Sequence, residues 1–388
     1  MNSKQIFAPE GALFKTFFIG GFECSCHRNQ SGKRLDLLAS TQHDKYILKD
    51  YLRLQQYHIS TARSGIRWHL IETSPGRYDF STVLPMLQAA RQTGMQIIWD
   101  LCHYGWPDDL DIFTPEFIRR FKGLVTAFAK LLRDETETIP FLCPMNEISF
   151  FAWAGADKGQ INPFQKKRGH ELKRQLVRTT VEAIEAIWQI LPQARLIQPE
   201  PAIHIIPKPD RPHERKKVEN YCRAQYQAWD MLCGRLEPDL GGAEKYLDII
   251  GINYYYHNQW IAGGPTLNQR HPLYKPFRQI LQENYERYSR PMFIAETGAE
   301  GKARADWLSY VCSEVRAAIE AGAPIHGICL YPILNHLGWE DDRHCRNGLW
   351  DHADAGGDRA IYEPLAHELR RQHCLFAQME TKKQDSPH

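Results

Sequence analysis

The 388-residue chain is 43% hydrophobic and 24% charged, with 48 Lys and Arg against 46 Asp and Glu and a formal net charge of +2. That composition is ordinary for a globular enzyme with a large core. The near-neutral balance, with no basic run interleaved with aromatics, lacks the signature of a nucleic-acid binder and points to a small or neutral partner.

Met1-Asn-Ser-Lys-Gln-Ile-Phe7 has no charged start, apolar stretch or small-residue cleavage site, so no secretory leader is expected. No apolar run reaches the roughly 20 residues of a membrane span, so no membrane partner is expected either. The ten cysteines are scattered, with Cys102, Cys143 and Cys329 inside apolar runs, and read as reduced core residues of a cytoplasmic protein. Cys24 and Cys26 form a C-x-C pair that no second pair completes. The 17 histidines contain no H-x-H or H-E-x-x-H spacing, so a metal-dependent hydrolase or lyase is disfavoured and neither metal nor cofactor is expected.

Strand-like and helix-like segments alternate along nearly the whole chain. The expected strands are 16–22, 61–68, 95–101, 139–146, 194–200, 247–254, 292–296 and 326–330. The helices that follow them are expected at 42–57, 81–93, 114–133, 170–191, 218–236, 276–288, 304–321 and 364–372. Val177, Val181, Ile184, Trp188 and Leu191 recur at steps of four and three, the face of a helix packed on a sheet. Eight βα units predict an α/β fold, a single-domain (β/α)8 TIM barrel over residues 1–377, with active residues at the C-terminal strand ends. A doubly wound sheet would need a glycine-rich phosphate turn, and none is present. Segments 207–217 and 258–274 are long for connections and are expected to rim the mouth, with 378–388 a polar, flexible tail.

Two apolar runs end on a glutamate: Ile139-Pro-Phe-Leu-Cys-Pro-Met-Asn-Glu147 and Pro291-Met-Phe-Ile-Ala-Glu296. They close the fourth and seventh expected strands, opposite each other across a barrel mouth. A pair of carboxyls so placed can split a glycosidic bond, one as proton donor and the other as nucleophile.

Further motifs follow in order. They are Phe17-Phe-Ile-Gly20, Ala62-Arg-Ser-Gly-Ile-Arg-Trp68, Leu101-Cys-His-Tyr-Gly-Trp-Pro107 and Met145-Asn-Glu147. Asp248-Ile-Ile-Gly-Ile-Asn-Tyr-Tyr255, Ile294-Ala-Glu-Thr-Gly298 and Arg346-Asn-Gly-Leu-Trp-Asp351 complete the series. Together they resemble the F-L-W-G, Y-R-F-S-I-S-W, L-Y-H-W-D-L-P, F-N-E-P, D-F-I-G-I-N-Y-Y, I-T-E-N-G and R-F-G-L-x-x-D segments of glycoside hydrolase family 1, the retaining β-glucosidases of the TIM-barrel glycosidase clan.

The resemblance implies a cofactor-free retaining β-glycosidase acting on a small-molecule or oligosaccharide glycoside. Glu147 is then the general acid and base, Glu296 the nucleophile, Asn146 a donor to the sugar 2-hydroxyl, and Arg63 a neighbour that favours charge on Glu296. In this mechanism the carboxyls lie about 5–5.5 Å apart, and Glu147 must stay protonated while Glu296 is ionised. Strand alternation puts Asn253 and Tyr255 on one face, both in reach of the nucleophile, with Tyr254 and Tyr256 packing behind. His103 matches a sugar-binding histidine, and Tyr331 and Trp339 match sugar-stacking tryptophans, with core packing the other reading for either aromatic.

The recognition half of the pattern departs. Gly338 stands where the family has a glutamate that holds the 4- and 6-hydroxyls, and His27 stands in place of a sugar-binding glutamine. Gly338 implies room for a bulkier sugar, with Glu340, Asp341, Asp342 or His336 either taking over hydroxyl recognition or forming a solvated loop. The family's phosphate-binding set is not recognisable, so a 6-phospho sugar is not expected. A transglycosidase using the same glutamates, and a sugar-binding protein without turnover, are the other functional readings.

Overall fold

The computed structural model describes residues 11–384. Residues 1–10, where no leader was expected, and 385–388, the end of the expected tail, lie outside the described residues.

Eight parallel strands close into one barrel in chain order: β1 Phe18–Gly21, β2 Thr61–Gly65, β3 Gln96–Asp100, β4 Phe141–Cys143, β5 Arg195–Pro201, β6 Ile249–Asn253, β7 Met292–Thr297 and β8 Ile325–Leu330. β1 closes the ring, pairing with β8 through Phe18 and Ile328 and with β2 through Gly20 and Ala62. This is the single-domain (β/α)8 barrel predicted from the alternation, because consecutive parallel strands need a crossover helix.

The strands are apolar throughout because both faces are buried. Ile19, Ile98, Phe141, Ile197, Ile249 and Phe293 come from strands all around the ring and can meet only inside it. Phe14 plugs the N-terminal end, its ring centroid 5.1 Å from that of Phe141 and 5.0 Å from that of Phe293. Their sequence neighbours Phe18, Trp99, Leu142, Leu196, Ile250 and Ile294 pack outward against the helices. Among those, helix Leu84–Thr93 stops where Gly94, at φ +66°, turns its N–H back to the Ala90 carbonyl.

Two helices differ from expectation, and the long loops carry a tie that the sequence did not show. The helix expected at 218–236 is two pieces, Arg215–Arg223 and Gln227–Leu232, separated by a 3-10 turn where the Gln225 amide is spent on the Ile203 backbone. The long loops 207–217 and 258–274 are tied at their bases by parallel pairing of His204–Ile206 with Gln259–Ile261. The last helix runs Glu363–Gln384, so that 378–384 continues it. No helix among the described residues is long and apolar enough to cross a membrane.

Candidate active site

The C-terminal strand ends surround a cavity of about 760 Å³, and Glu23, His103, Glu147, Tyr255, Glu296 and Trp339 line one part of it. The residue beneath is Arg63 on β2, fully buried. Its Nη1 donates to Glu296 Oε1 and to the Ala295 carbonyl, both at 2.9 Å. Its Nη2 donates to Asn146 Oδ1 at 2.8 Å and lies 2.8 Å from Asp100 Oδ2, while Nε donates to Asp100 Oδ1 at 3.1 Å. One guanidinium thereby fixes the ends of β2, β3, β4 and β7 relative to one another. A planar five-donor fork suits this work.

Glu296 reaches the cavity through an irregularity. Along β7, Phe293 and Ala295 point into the barrel and Ile294 points out. Strict alternation would therefore send Glu296 outward. The pairing with β6 shifts register between Ile294 and Glu296, so that Glu296 opposes Asn253. A bulge of this kind re-aims a side chain, and here it turns the carboxylate inward. Glu296 Oε2 accepts the Tyr255 hydroxyl at 2.9 Å. Burial pushes the Glu296 carboxyl up to about 7; Arg63 pulls it down, as expected, but burial together with Glu147 outweighs the guanidinium.

Glu147 also departs from regular backbone. Its φ of +43° is left-handed, a strained conformation for a glutamate, at the entrance to the short helix Ile148–Ala152. The Glu147 N–H donates to the Pro199 carbonyl. Glu200, at the end of β5, accepts the Ser149 N–H at 3.1 Å on both oxygens and so holds the start of that helix. Burial pushes the Glu200 carboxyl up to about 8, with Lys173 pulling the other way. On the side chain, Tyr104 Oη donates to Glu147 Oε2 at 2.5 Å and Asn253 Nδ2 donates to Oε1 at 2.9 Å. Asn253 thus serves Glu147, correcting the expectation that it joins Tyr255 at the nucleophile, because its amide nitrogen is taken by the Glu147 carboxylate.

His103 lines the cavity with Nδ1 3.1 Å from Asp100 Oδ2 and Nε2 3.1 Å from Asn146 Nδ2. Burial pushes the imidazole down, but Asp100 and Glu23 more than offset this and the net direction is up. Asn146 is fully buried, and its Nδ2 also donates to Tyr104 Oη at 3.0 Å. Within the protein the Asn146 amide nitrogen, expected to donate to a sugar, lies against His103 Nε2 and Tyr104 Oη. Tyr254 packs behind, as expected, stacked 4.0 Å from Phe277, whereas Tyr256 is 54% exposed rather than packed.

The rim departs further from expectation. Tyr331 is a core residue, absent from the cavity wall: it lies parallel to His103 at 6.0 Å and 5.2 Å from the Arg63 guanidinium. Gly21 permits this position, since a Cβ there would sit 2.3 Å from the Tyr331 ring. His27 is fully buried behind Trp339, ring centroids 4.6 Å apart, and burial pushes its imidazole down to about 3. It supports Trp339, which does line the cavity. The room expected at Gly338 is filled by Asp341 Oδ1, 2.3 Å from where a Cβ would stand. Glu340, Asp341 and Asp342 are exposed, and Asp342 pairs with Lys33 at 2.5 Å. His336 bonds Asn347. None of these four lines the cavity.

Three residues were not anticipated. Glu23 lines the cavity, its Oε1 accepting the Ser25 N–H at 2.9 Å and the Ser25 hydroxyl at 2.5 Å. Asp100 pairs with Arg63, and Tyr104 hydrogen-bonds Glu147 from a left-handed position, φ +67°. Cys24, Asp100 and His103 place ligand-type atoms within 4.8 Å of one another. Asp100 is already committed to the Arg63 guanidinium, however, and that cation would repel a metal ion beside it. A second trio, His344, Asp351 and His352, lies on the hairpins after β8, away from the cavity.

The chain resembles β-glucosidases in fold. The β-glucosidase from Thermotoga maritima in complex with glucoimidazole superposes with a TM-score of 0.76 at 15% identity, covering 95% of this chain and 99% of that one. The family 1 β-glucosidase from the same organism gives 0.75 at 15% identity, covering 96% and 99%. Its complex with isofagomine lactam gives 0.75 at 15%, covering 95% and 100%. At this identity the likeness concerns the fold. No family model and no curated protein sequence matches the chain.

Proposed function

We propose that the protein is a retaining β-glycosidase, hydrolysing a β-linked glycoside through a covalent glycosyl-Glu296 intermediate. The observation that carries this reading is the pair of buried carboxyls, Glu147 and Glu296, on facing strand ends of one cavity, each held by two donors. The fold likeness to structures titled as β-glucosidases with sugar-like inhibitors supports it.

In this reading Glu296 attacks the anomeric carbon while Glu147 gives its proton to the departing oxygen. Glu147, now a carboxylate, then takes a proton from water as the water displaces Glu296. Arg63 and Tyr255 stabilise the Glu296 carboxylate when the intermediate breaks. His103, Glu23 and Trp339 meet the sugar ring, Trp339 with an aromatic face suited to pyranose C–H groups. All ten cysteines are free thiols, which fits a cytoplasmic location.

Attack requires ionised Glu296, so the rate should rise as pH increases through about 7. Hydrolysis of aryl β-glycosides differing only in the sugar, followed by NMR, tests the reading. It predicts retention at the anomeric carbon, and inversion overturns it. Aglycone release exceeding free sugar when an alcohol acceptor is added would identify transfer as the main reaction of the same intermediate.

A further inference from the structure

The cavity does not end at the two glutamates. It continues past Ser149, Phe150 and Trp153, the residues that follow Glu147 in the chain, towards Tyr221 and Trp260. There it joins a second depression of about 980 Å³, and Trp153, Tyr221, Ala224 and Trp260 belong to both. The far wall comes from the two long loops whose bases pair as parallel strands, together with the helix that follows the first of them.

Charge divides this continuous groove. The inner end carries Glu23, Glu147 and Glu296, and the wall between the two ends carries Asp157 with His170 and Lys173, so that the one acid there is balanced by a cation. The outer end carries Lys158, Lys208, Arg211 and Lys217 against a single carboxylate, Glu214, which sits 3.5 Å from Arg211. Among the described residues no ion pair engages Lys158, Lys208 or Lys217. Lys158 Nζ lies 5.8 Å from the centre of the Trp153 ring, so that cation and aromatic face adjoin. A ligand with negative charge along its length is repelled at one end of such a groove and attracted at the other, which fixes its direction.

We propose that the outer groove binds an acidic oligosaccharide extension on the leaving-group side of the substrate. Sugar rings lie on Trp153, Tyr221 and Trp260, and carboxylate or sulfate groups meet the lysines. The assignment of this side to the leaving group rests on the catalytic reading above, in which Glu147 is the proton donor. The ring being cleaved off is neutral, since it must enter past three carboxyls.

The test compares the protein with its Lys158→Gln/Lys208→Gln/Lys217→Gln variant. Three oligosaccharides of equal length are titrated, one neutral, one with uronate residues and one with sulfate esters, and binding is read from tryptophan fluorescence. The acidic ligands should bind at least about 10-fold more tightly than the neutral one at low salt. The preference should shrink in about 0.5 M salt and vanish in the variant. The tighter acidic arm identifies the charged group. Hydrolysis of a small aryl glycoside should be the same in both proteins, showing that the variant folds. Equal affinity for neutral and acidic ligands, or a preference that survives in the variant, overturns the proposal. So does equally tight binding of inorganic tripolyphosphate, which offers charge without rings. Because binding is read without turnover, loss of the catalytic reading would show separately, as no aryl glycoside hydrolysis by either protein.

Discussion

The floor of the cavity and its β8–β1 rim are built by different rules. On the floor, Arg63, Asp100 and Asn253 project from strands whose pairing in a closed ring fixes their direction, and one guanidinium joins four strand ends. On the rim, loops meet across some 310 positions of sequence: Asn29 Nδ2 donates to the Trp339 carbonyl, and Lys33 pairs with Asp342. The floor's geometry is set by the barrel, while the rim's depends on the course of its loops, which leave Gly338 beside Asp341 and place the Glu23 carboxylate in the cavity. In this account bond cleavage belongs to the first region and choice of sugar to the second.

Arg63→Gln should break the floor most severely. It removes the cation from Glu296 and leaves Asp100 buried with His103 as its remaining partner. Turnover should fall about 10²- to 10³-fold, with a stability loss of about 3–5 kcal/mol in denaturant unfolding. A variant of near-normal rate and stability would show that the guanidinium is dispensable. Tyr255→Phe removes one donor from the Glu296 carboxylate and should lower kcat about 10-fold. Its sign in a pH profile is fixed. Losing a donor disfavours the ionised form, so the acid limb should move above the value of about 7 set by burial.

On the rim, Glu23→Gln should act on recognition, raising KM about 10-fold with kcat changed by less than about 3-fold. A kcat loss as large as that of Arg63→Gln would erase the distinction between the regions. Glu200→Gln sharpens the comparison through stability. Burial holds the folded-state Glu200 carboxyl at about 8, above its ordinary value of 4.5, so its contribution is present at low pH and lost as pH rises through that window. Melting temperature should fall across that window in the parent protein, and less so in the variant. The smallest effect is expected for Glu340→Gln with Asp342→Asn, exposed acids outside the cavity, within about 2-fold in kcat/KM.

Much of the barrel was legible because parallel strands buried on both faces are continuously apolar and helices between them repeat at 3.6 residues. Asp100 carries the same local signal, since Gln96-Ile-Ile-Trp-Asp100 is an apolar run ending on a carboxylate like those that end on Glu147 and Glu296. Glu23 was also within reach, because Ile19, Gly21 and Glu23 share one phase of β1 and its continuation. Other features have no local signal. The bulge that turns Glu296 inward and the left-handed Glu147 break the strand rule at the two residues assigned to chemistry, as functional sites commonly do. The filling of the Gly338 space by Asp341 depends on the course of a loop, which period and composition do not specify.

The central claim, that Glu296 carries the sugar and Glu147 moves the proton, is tested most directly by azide rescue of the two alanine variants on an activated aryl β-glycoside. Glu296→Ala should be inactive until azide is added and then yield the α-glycosyl azide, formed by one displacement. Glu147→Ala should yield the β-glycosyl azide, formed by azide attacking the glycosyl-Glu296 intermediate. The same anomer from both variants, or a Glu296→Ala protein that hydrolyses the substrate without azide at the parent rate, would contradict the account.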